Sequence, residues 1–166
     1  MYLMELMKRI RSPILFEGTD TTAYRDPTAI YAKGQWHLFF TLVERLADGN
    51  PYLTLAKSTS SDLICWTPVR RLTPYDRSLN YSSPGNILET DDGQHVICFQ
   101  TYCRENDEKY GNARSRLYTM TSPDLENWSE PELLRVKGDV PVEDMGRMKG
   151  KSSPWGRKTG PGRRVG

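Results

Sequence analysis

The sequence predicts an all-β chain in which a four-stranded sheet recurs as the blade of a β-propeller. Three segments repeat in the same order. Thr59-Ser60-Ser61-Asp62-Leu63-Ile64-Cys65-Trp66 matches Thr121-Ser122-Pro123-Asp124-Leu125-Glu126-Asn127-Trp128 at five of eight positions, 62 residues apart. Gly34-Gln35 and the apolar run behind it answer Gly93-Gln94 and its run, 59 residues apart. Asp26-Pro27 with Ile30 answers Ser83-Pro84 with Ile87, 57 residues apart. One such match could be accident. Three in register make a repeat of about sixty residues, and self-similarity at that period marks propellers and solenoids. An eight-stranded β-sandwich is the competing architecture, and the recurrence of a turn followed by tryptophan speaks against it.

Each unit reads as four strands rich in Ile, Leu, Phe, Tyr and Thr, residues that suit a pleated, half-buried surface. In the first unit they are expected at about 27–32, 36–43, 52–59 and 68–72, in the second at about 84–89, 95–102, 114–121 and 132–135. Gly34-Gln35 and Asp92-Gly93 mark tight turns between first and second strands. Glu44 to Pro51 and Cys103 to Ala113 read as longer polar connections. Asp62 and Asp124 turn the chain between third and fourth strands, where a carboxylate can bond nearby backbone N–H groups. Trp66 and Trp128 follow, each large enough to plug the seam between units; stacking on a sugar is their other reading. Met1, Met4 and Met7 have helical spacing with Leu3 and Ile10, which reads as a leader segment or a small packing helix.

Composition places the chain among ordered proteins. Of 166 residues, 37% are hydrophobic and 10% aromatic, and the net charge is only +2, so long disorder over most of the chain is not expected. No apolar run reaches the roughly 20 residues of a membrane helix. No secretory leader is seen at the N-terminus, and a cytoplasmic location is the expectation. Cys65, Cys98 and Cys103 are odd in number and lack metal-type spacing, which reads as free thiols. His37 and His95 lie within strands without nearby ligand partners, so no metal site is expected, and no cofactor either. The charge is uneven: Lys149 to Gly166 holds six basic residues, no acidic one and five glycines, which leaves residues 1–148 at −4. Residues 149–166 therefore read as a disordered basic tail. It lacks the interleaved aromatics of a nucleic-acid binder, so nucleic acid is not an expected partner.

In a propeller the first strand of each blade lines the central channel. Those strands open here with Tyr24-Arg25-Asp26-Pro27-Thr28 and with Tyr81-Ser82-Ser83-Pro84-Gly85-Asn86. Asp26 is thus a candidate base or nucleophile, with the adjacent Arg25 guanidinium keeping it ionised; the plain alternative is an Asp-Pro turn whose carboxylate caps a local N–H. Tyr24, Arg25, Tyr81, Ser83 and Asn86 are the candidate substrate-binding residues, against strand-start chemistry for the second-unit members.

The run Ala23-Tyr24-Arg25-Asp26-Pro27-Thr28-Ala29-Ile30-Tyr31, then Gly34-Gln35-Trp36-His37-Leu38-Phe39-Phe40-Thr41, then Ser61-Asp62-Leu63 to Trp66, resembles the first blade of the five-bladed propeller glycoside hydrolases (the arabinanase, levansucrase and invertase superfamily), with glycoside hydrolase family 43 nearest. Ser83-Pro84-Gly85-Asn86 to Trp128 resembles the second blade. The resemblance implies a partial five-bladed β-propeller: blade 1 at about 13–75, blade 2 at about 76–138, and the start of a third blade within a domain ending near 148. It further implies hydrolysis of O-glycosidic bonds in an oligo- or polysaccharide, arabinofuranosidase- or xylosidase-like, with a first-blade Asp as general base or nucleophile. Asp26 stands at that position. Such enzymes need a second carboxyl group as acid, which the family takes from a fourth-blade Glu, with a third-blade Asp orienting it. After Val142-Glu143-Asp144-Met145-Gly146-Arg147-Met148 this chain continues with Lys149-Gly150-Lys151 and not with an apolar residue and Asp-Pro. A truncated hydrolase is therefore expected, marginal in stability, short of full activity, and open to self-association through unpaired blade edges. A non-catalytic carbohydrate-binding propeller is the alternative.

Overall fold

A computed structural model describes residues 3–9, 15–103, 115–137 and 140–141. The expected basic tail, the Glu143-Asp144 segment and most of the Cys103–Ala113 connection lie outside the described residues. A short helix, α1 (Leu3–Arg9), precedes the first sheet. Strands β1 (Thr22–Ala32), β2 (Gln35–Arg45), β3 (Pro51–Ser60) and β4 (Arg70–Arg71) form an antiparallel sheet in that order. The second sheet holds β5 (Tyr81–Ser82), β6 (Ile87–Glu89), β7 (His95–Thr101), β8 (Leu117–Ser122) and β9 (Glu132–Leu133). Both β5 and β6 pair with β7, so they are two halves of one broken inner strand, and this sheet too is a four-stranded meander. These are two blades of a propeller, within a unit that ends at Leu134. Separately, β10 (Arg135–Lys137) and β11 (Val140–Pro141) form a two-stranded hairpin.

The repeat is physical as well as textual. The β1–β2 hairpin closes on Lys33-Gly34, with φ of 53° and 79° and Ala32 opposite Gln35. Two successive positive-φ residues make the turn whose twist matches paired strands. Thr90 to Gln94 closes the equivalent hairpin, with Gly93 at φ 79°. Each Ser-x-Asp turn is tied alike. Asp62 Oδ1 accepts the N–H groups of Ile64 and Cys65 at 2.8 Å, and Asp124 Oδ1 those of Glu126 and Asn127 at 2.8 and 2.7 Å. Leu63 and Leu125 take φ of 62° and 66°.

Both inner strands break at the same place. Arg25 pairs with Thr41 and Thr28 with Phe39, so Asp26 and Pro27 together oppose one residue in a β-bulge. In the second blade the break runs from Ser83 to Asn86. Asp26 and Ser83 have φ of 53° and 49°, and each precedes a proline, which cannot donate to the ladder and belongs at such breaks. The second inner strand, expected unbroken over 84–89, therefore loses its first half. Gly85 N–H still reaches Cys98 O at 2.7 Å, an approach that leaves a Cβ only 3.1 Å from that oxygen. The outer strands β4 and β9 are two residues each, shorter than expected.

Strand alternation sends successive residues of β2 to opposite faces. Phe39 and Leu55 face the second blade and pack with Tyr81, Ile97, Phe99, Met120 and Leu125. Phe40, Leu42 and Ala56 face the other way, under Phe16, Tyr24, Leu38 and Val69. Trp128 stands in the seam, edge-on to Phe39 at 5.4 Å, with its indole N–H bonded to Leu125 O at 3.2 Å. Trp66, its repeat partner, meets Phe16 instead, and its buried N–H has no partner among the described residues. Polar ties cross the seam as well. Lys57, 3% exposed, donates to Leu125 O and to Glu126 Oε1, both at 2.6 Å. Arg70 donates to Glu126 O at 2.5 Å, and Leu53 N–H to the Asn80 side chain at 3.0 Å.

The two tryptophans should therefore answer differently to loss of their N–H groups. Trp128→Phe forfeits a partly buried hydrogen bond and should cost about 1 kcal/mol, whereas Trp66→Phe should be neutral or slightly stabilising. Chemical denaturation of both variants against the parent checks the contrast.

The seam also sets a pH dependence. His37 is 1% exposed, and among the described residues neither ring nitrogen makes a well-formed hydrogen bond. It faces Lys57 from β3, His95 from β7 and Glu126 from the turn after β8; burial first, then the Lys57 ammonium, pushes its pKa below the ordinary 6.5, against smaller pulls upward from Glu126 and the Ala32 backbone. The unfolded chain takes up a proton that the folded chain refuses. Stability is thus full above about pH 6.5 and falls as pH drops below it, by at most about 1.4 kcal/mol per pH unit. Asp62 and Asp124, held below their ordinary 3.8 chiefly by backbone N–H bonds, act in a separate and more acidic window. Urea unfolding at about pH 7.5 and about pH 5.5 should show the loss, and His37→Gln should flatten it.

Candidate functional site

The bulge in β1 and the break after β5 meet across the seam. Asp26 turns its carboxylate toward the second blade, and Oδ2 accepts two hydroxyl groups: Thr41 Oγ1 at 3.0 Å and Ser83 Oγ at 3.1 Å. Thr41 comes from β2, directly behind the bulge. Its oxygen also accepts the Ser83 N–H at 2.7 Å. Gln100, on β7, donates from Nε2 to Ser83 Oγ at 3.1 Å. Four residues, two from each blade, are thus joined in one polar network.

This network borders a cavity of about 190 Å³. Arg25, Asp26, Ser82, Ser83, Gln100 and Tyr102 supply its polar lining, and Val43, Pro51 and Leu53 its apolar wall. Among the described residues Asp26 is the one carboxylate in that lining. A concave site with a few convergent polar groups on an apolar wall is the ordinary form of a small-ligand pocket. A second cavity, of about 280 Å³, lies on the other side of Arg25, and its wall is apolar: Leu15, Phe16, Tyr24, Pro27, Leu38 and Phe40.

The candidate residues read from the sequence separate on this geometry. Asp26, Arg25 and Ser83 share the polar cavity. The expected Arg25–Asp26 ion pair does not form among the described residues: Arg25 is exposed, while Asp26, half-buried at the bulge, turns its Oδ2 to Thr41 and Ser83. The two hydroxyls take the guanidinium's place. Tyr24 turns away to Phe16 and Phe40, at ring distances of 5.2 and 5.6 Å, and lines the apolar cavity. Tyr81 is a core residue, 7% exposed, edge-on to Phe99 and Tyr118. Its hydroxyl pKa is pushed up to about 12, first by burial and then by the negative charge of Asp76. Asn86 is exposed and outside the polar cavity's lining. Thr41, Gln100 and Tyr102 were not anticipated. A signal for two of them exists: carried one residue further, the 59-residue offset aligns Thr41 with Gln100, each a polar residue in an otherwise apolar stretch.

Comparison with known proteins adds the fold. No protein-family model matches this chain, and no curated protein is significantly similar to it. Among solved structures, the Penicillium chrysogenum alpha-L-arabinanase complexed with arabinobiose is similar over 72% of this chain and 33% of its own, at 19% identity and a TM-score of 0.55. The catalytic domain of the Coprinopsis cinerea GH62 alpha-L-arabinofuranosidase matches over 76% and 36%, at 14% identity and 0.48. The sucrose-6-phosphate hydrolase of Lactobacillus gasseri matches over 61% and 20%, at 16% identity and 0.48. The chain thus spans about a third or less of the structures named. At these identities the likeness speaks to architecture alone: the two sheets are part of a propeller of the kind found in glycosidases.

Proposed function

We propose that this chain supplies part of a glycoside hydrolase propeller, nearest to family 43, in which Asp26 is the general base or nucleophile acting on an O-glycosidic bond. The observation that carries the reading is the placing of Asp26 at a positive-φ bulge, with its carboxylate fixed by two hydroxyls at the edge of a mixed polar and apolar cavity. Strained backbone at a cavity rim is a feature of functional sites. As base, the carboxylate takes a proton from a water whose oxygen bonds to the anomeric carbon; as nucleophile, it forms that bond itself. In either case the bond from that carbon to the leaving oxygen breaks, and its electron pair departs on the oxygen. Arg25, Ser82, Gln100 and Tyr102 present donors, acceptors and an aromatic face suited to a saccharide.

A natural alkoxide leaving group needs a proton from a second carboxyl group, and among the described residues the lining of this cavity offers none. In the hydrolase reading the acid comes from another part of a whole propeller. The same observation favours a second reading, a carbohydrate-binding propeller without turnover.

A leaving group that departs unprotonated separates them. With dinitrophenyl α-arabinofuranoside, β-xyloside and β-mannoside as probes, the hydrolase reading expects slow turnover of at least one by the 166-residue chain, abolished in Asp26→Asn. No turnover above the uncatalysed rate on any of them, or Asp26→Asn as active as the parent, overturns it. Saccharide binding without turnover then supports the second reading.

A further inference from the structure

The geometry points to Thr41 and Ser83 as a cross-blade clamp that holds Asp26 by Oδ2 and leaves Oδ1 as the reacting oxygen. The inference rests on the reading of Asp26 as the reacting carboxylate, and makes Thr41 and Ser83 positioning residues for it.

The hydrogen-bond directions are fully determined. Thr41 Oγ1 accepts the Ser83 N–H at 2.7 Å, so its own hydrogen is free to point at Asp26 Oδ2. Ser83 Oγ accepts Gln100 Nε2 at 3.1 Å, which turns its hydrogen toward the same oxygen. Each hydroxyl has one hydrogen to give, and each is aligned by a donor behind it. Both bonds therefore converge on Oδ2, and hydrogen bonds to an ionised acceptor are the stronger kind. Both side-chain bonds described to the Asp26 carboxylate thus fall on the one oxygen. Thr41 is wholly buried and Ser83 half-buried, so water does not compete freely for these bonds.

The backbone supports the same conclusion. Asp26 and Ser83 both hold positive φ, 53° and 49°, which non-glycine residues keep only where surrounding contacts over-determine them. The Ser83 N–H to Thr41 bond is such a contact and crosses from one blade to the other. Because the clamp draws one hydroxyl from each blade, Asp26 is oriented only once the blades have docked.

A merely structural role would lower stability and leave the chemistry untouched, so the test reads both. The probe is the dinitrophenyl glycoside that the parent chain turns over. Thr41→Val should lower kcat by about tenfold to a hundredfold with KM within about twofold, as expected when a reacting group is displaced but substrate contacts stay. Ser83→Ala should act in the same direction, and Thr41→Ser should restore most of the rate. Amide hydrogen exchange supplies a readout that needs no turnover. Protection of the Ser83 N–H should fall by about tenfold in Thr41→Val and return in Thr41→Ser. A parent-like kcat in Thr41→Val, or Ser83 protection unchanged by it, overturns the clamp. If the parent is inactive or Asp26→Asn equals it, the hydrolase reading fails instead and takes the clamp's catalytic use with it, while the exchange data still decide whether the clamp exists.

Discussion

Everything of functional interest here depends on the contact between the two blades. A four-stranded meander has two faces and by itself can bury neither. In this chain Phe39 and Leu55 from one sheet meet Ile97, Phe99 and Leu125 from the other, with Trp128 filling the gap at their side. The buried polar groups fit this arrangement. Lys57 reaches a carbonyl and a carboxylate of the opposite blade, and Leu53 N–H, a potential orphan at the strand's end, finds the side chain of Asn80. Burial of an ammonium is tolerable only where such partners are in place. The seam is therefore specific in orientation as well as adhesive.

The polar cavity is a product of that seam and not of either sheet. Arg25, Asp26 and Leu53 come from one blade, Ser82, Ser83 and Gln100 from the other. The strained bulges that open the inner strands sit where the two sheets converge, so backbone irregularity and side-chain convergence coincide. Placing functional groups at breaks in otherwise regular strands lets the rest of each strand remain a rigid support.

Much of this was legible in the sequence because it is local. The Ser-x-Asp turns and the glycine hairpins depend on neighbours within a few residues, and the repeat displays them twice. Asp26 could be placed at the mouth of an inner strand by the same logic. What escaped depends on distant partners. Tyr81 looked like a pocket aromatic because nothing nearby reveals that Phe99 and Tyr118 enclose it. Arg25 looked like the partner of Asp26 because adjacency in the chain suggests contact, whereas the bulge brings the carboxylate against Thr41 and Ser83. Thr41 is one polar residue in an apolar strand, and its meaning emerges only when Ser83, 42 residues on, is brought against it. The break in the second inner strand escaped because Ser-Pro reads as a strand opening until the φ of Ser83 is known.

The two Ser-x-Asp turns carry a consequence for how the molecule comes together. Their stabilising bonds join residues two or three apart, and such short closures form long before distant segments find one another. The hairpins they flank can follow, each still within one blade. Union of the sheets has to wait for chain some forty to seventy residues further along, the span from Thr41 to Ser83 or from Lys57 to Glu126. A nascent chain would then show its turns first, its separate meanders next, and a formed pocket last of all.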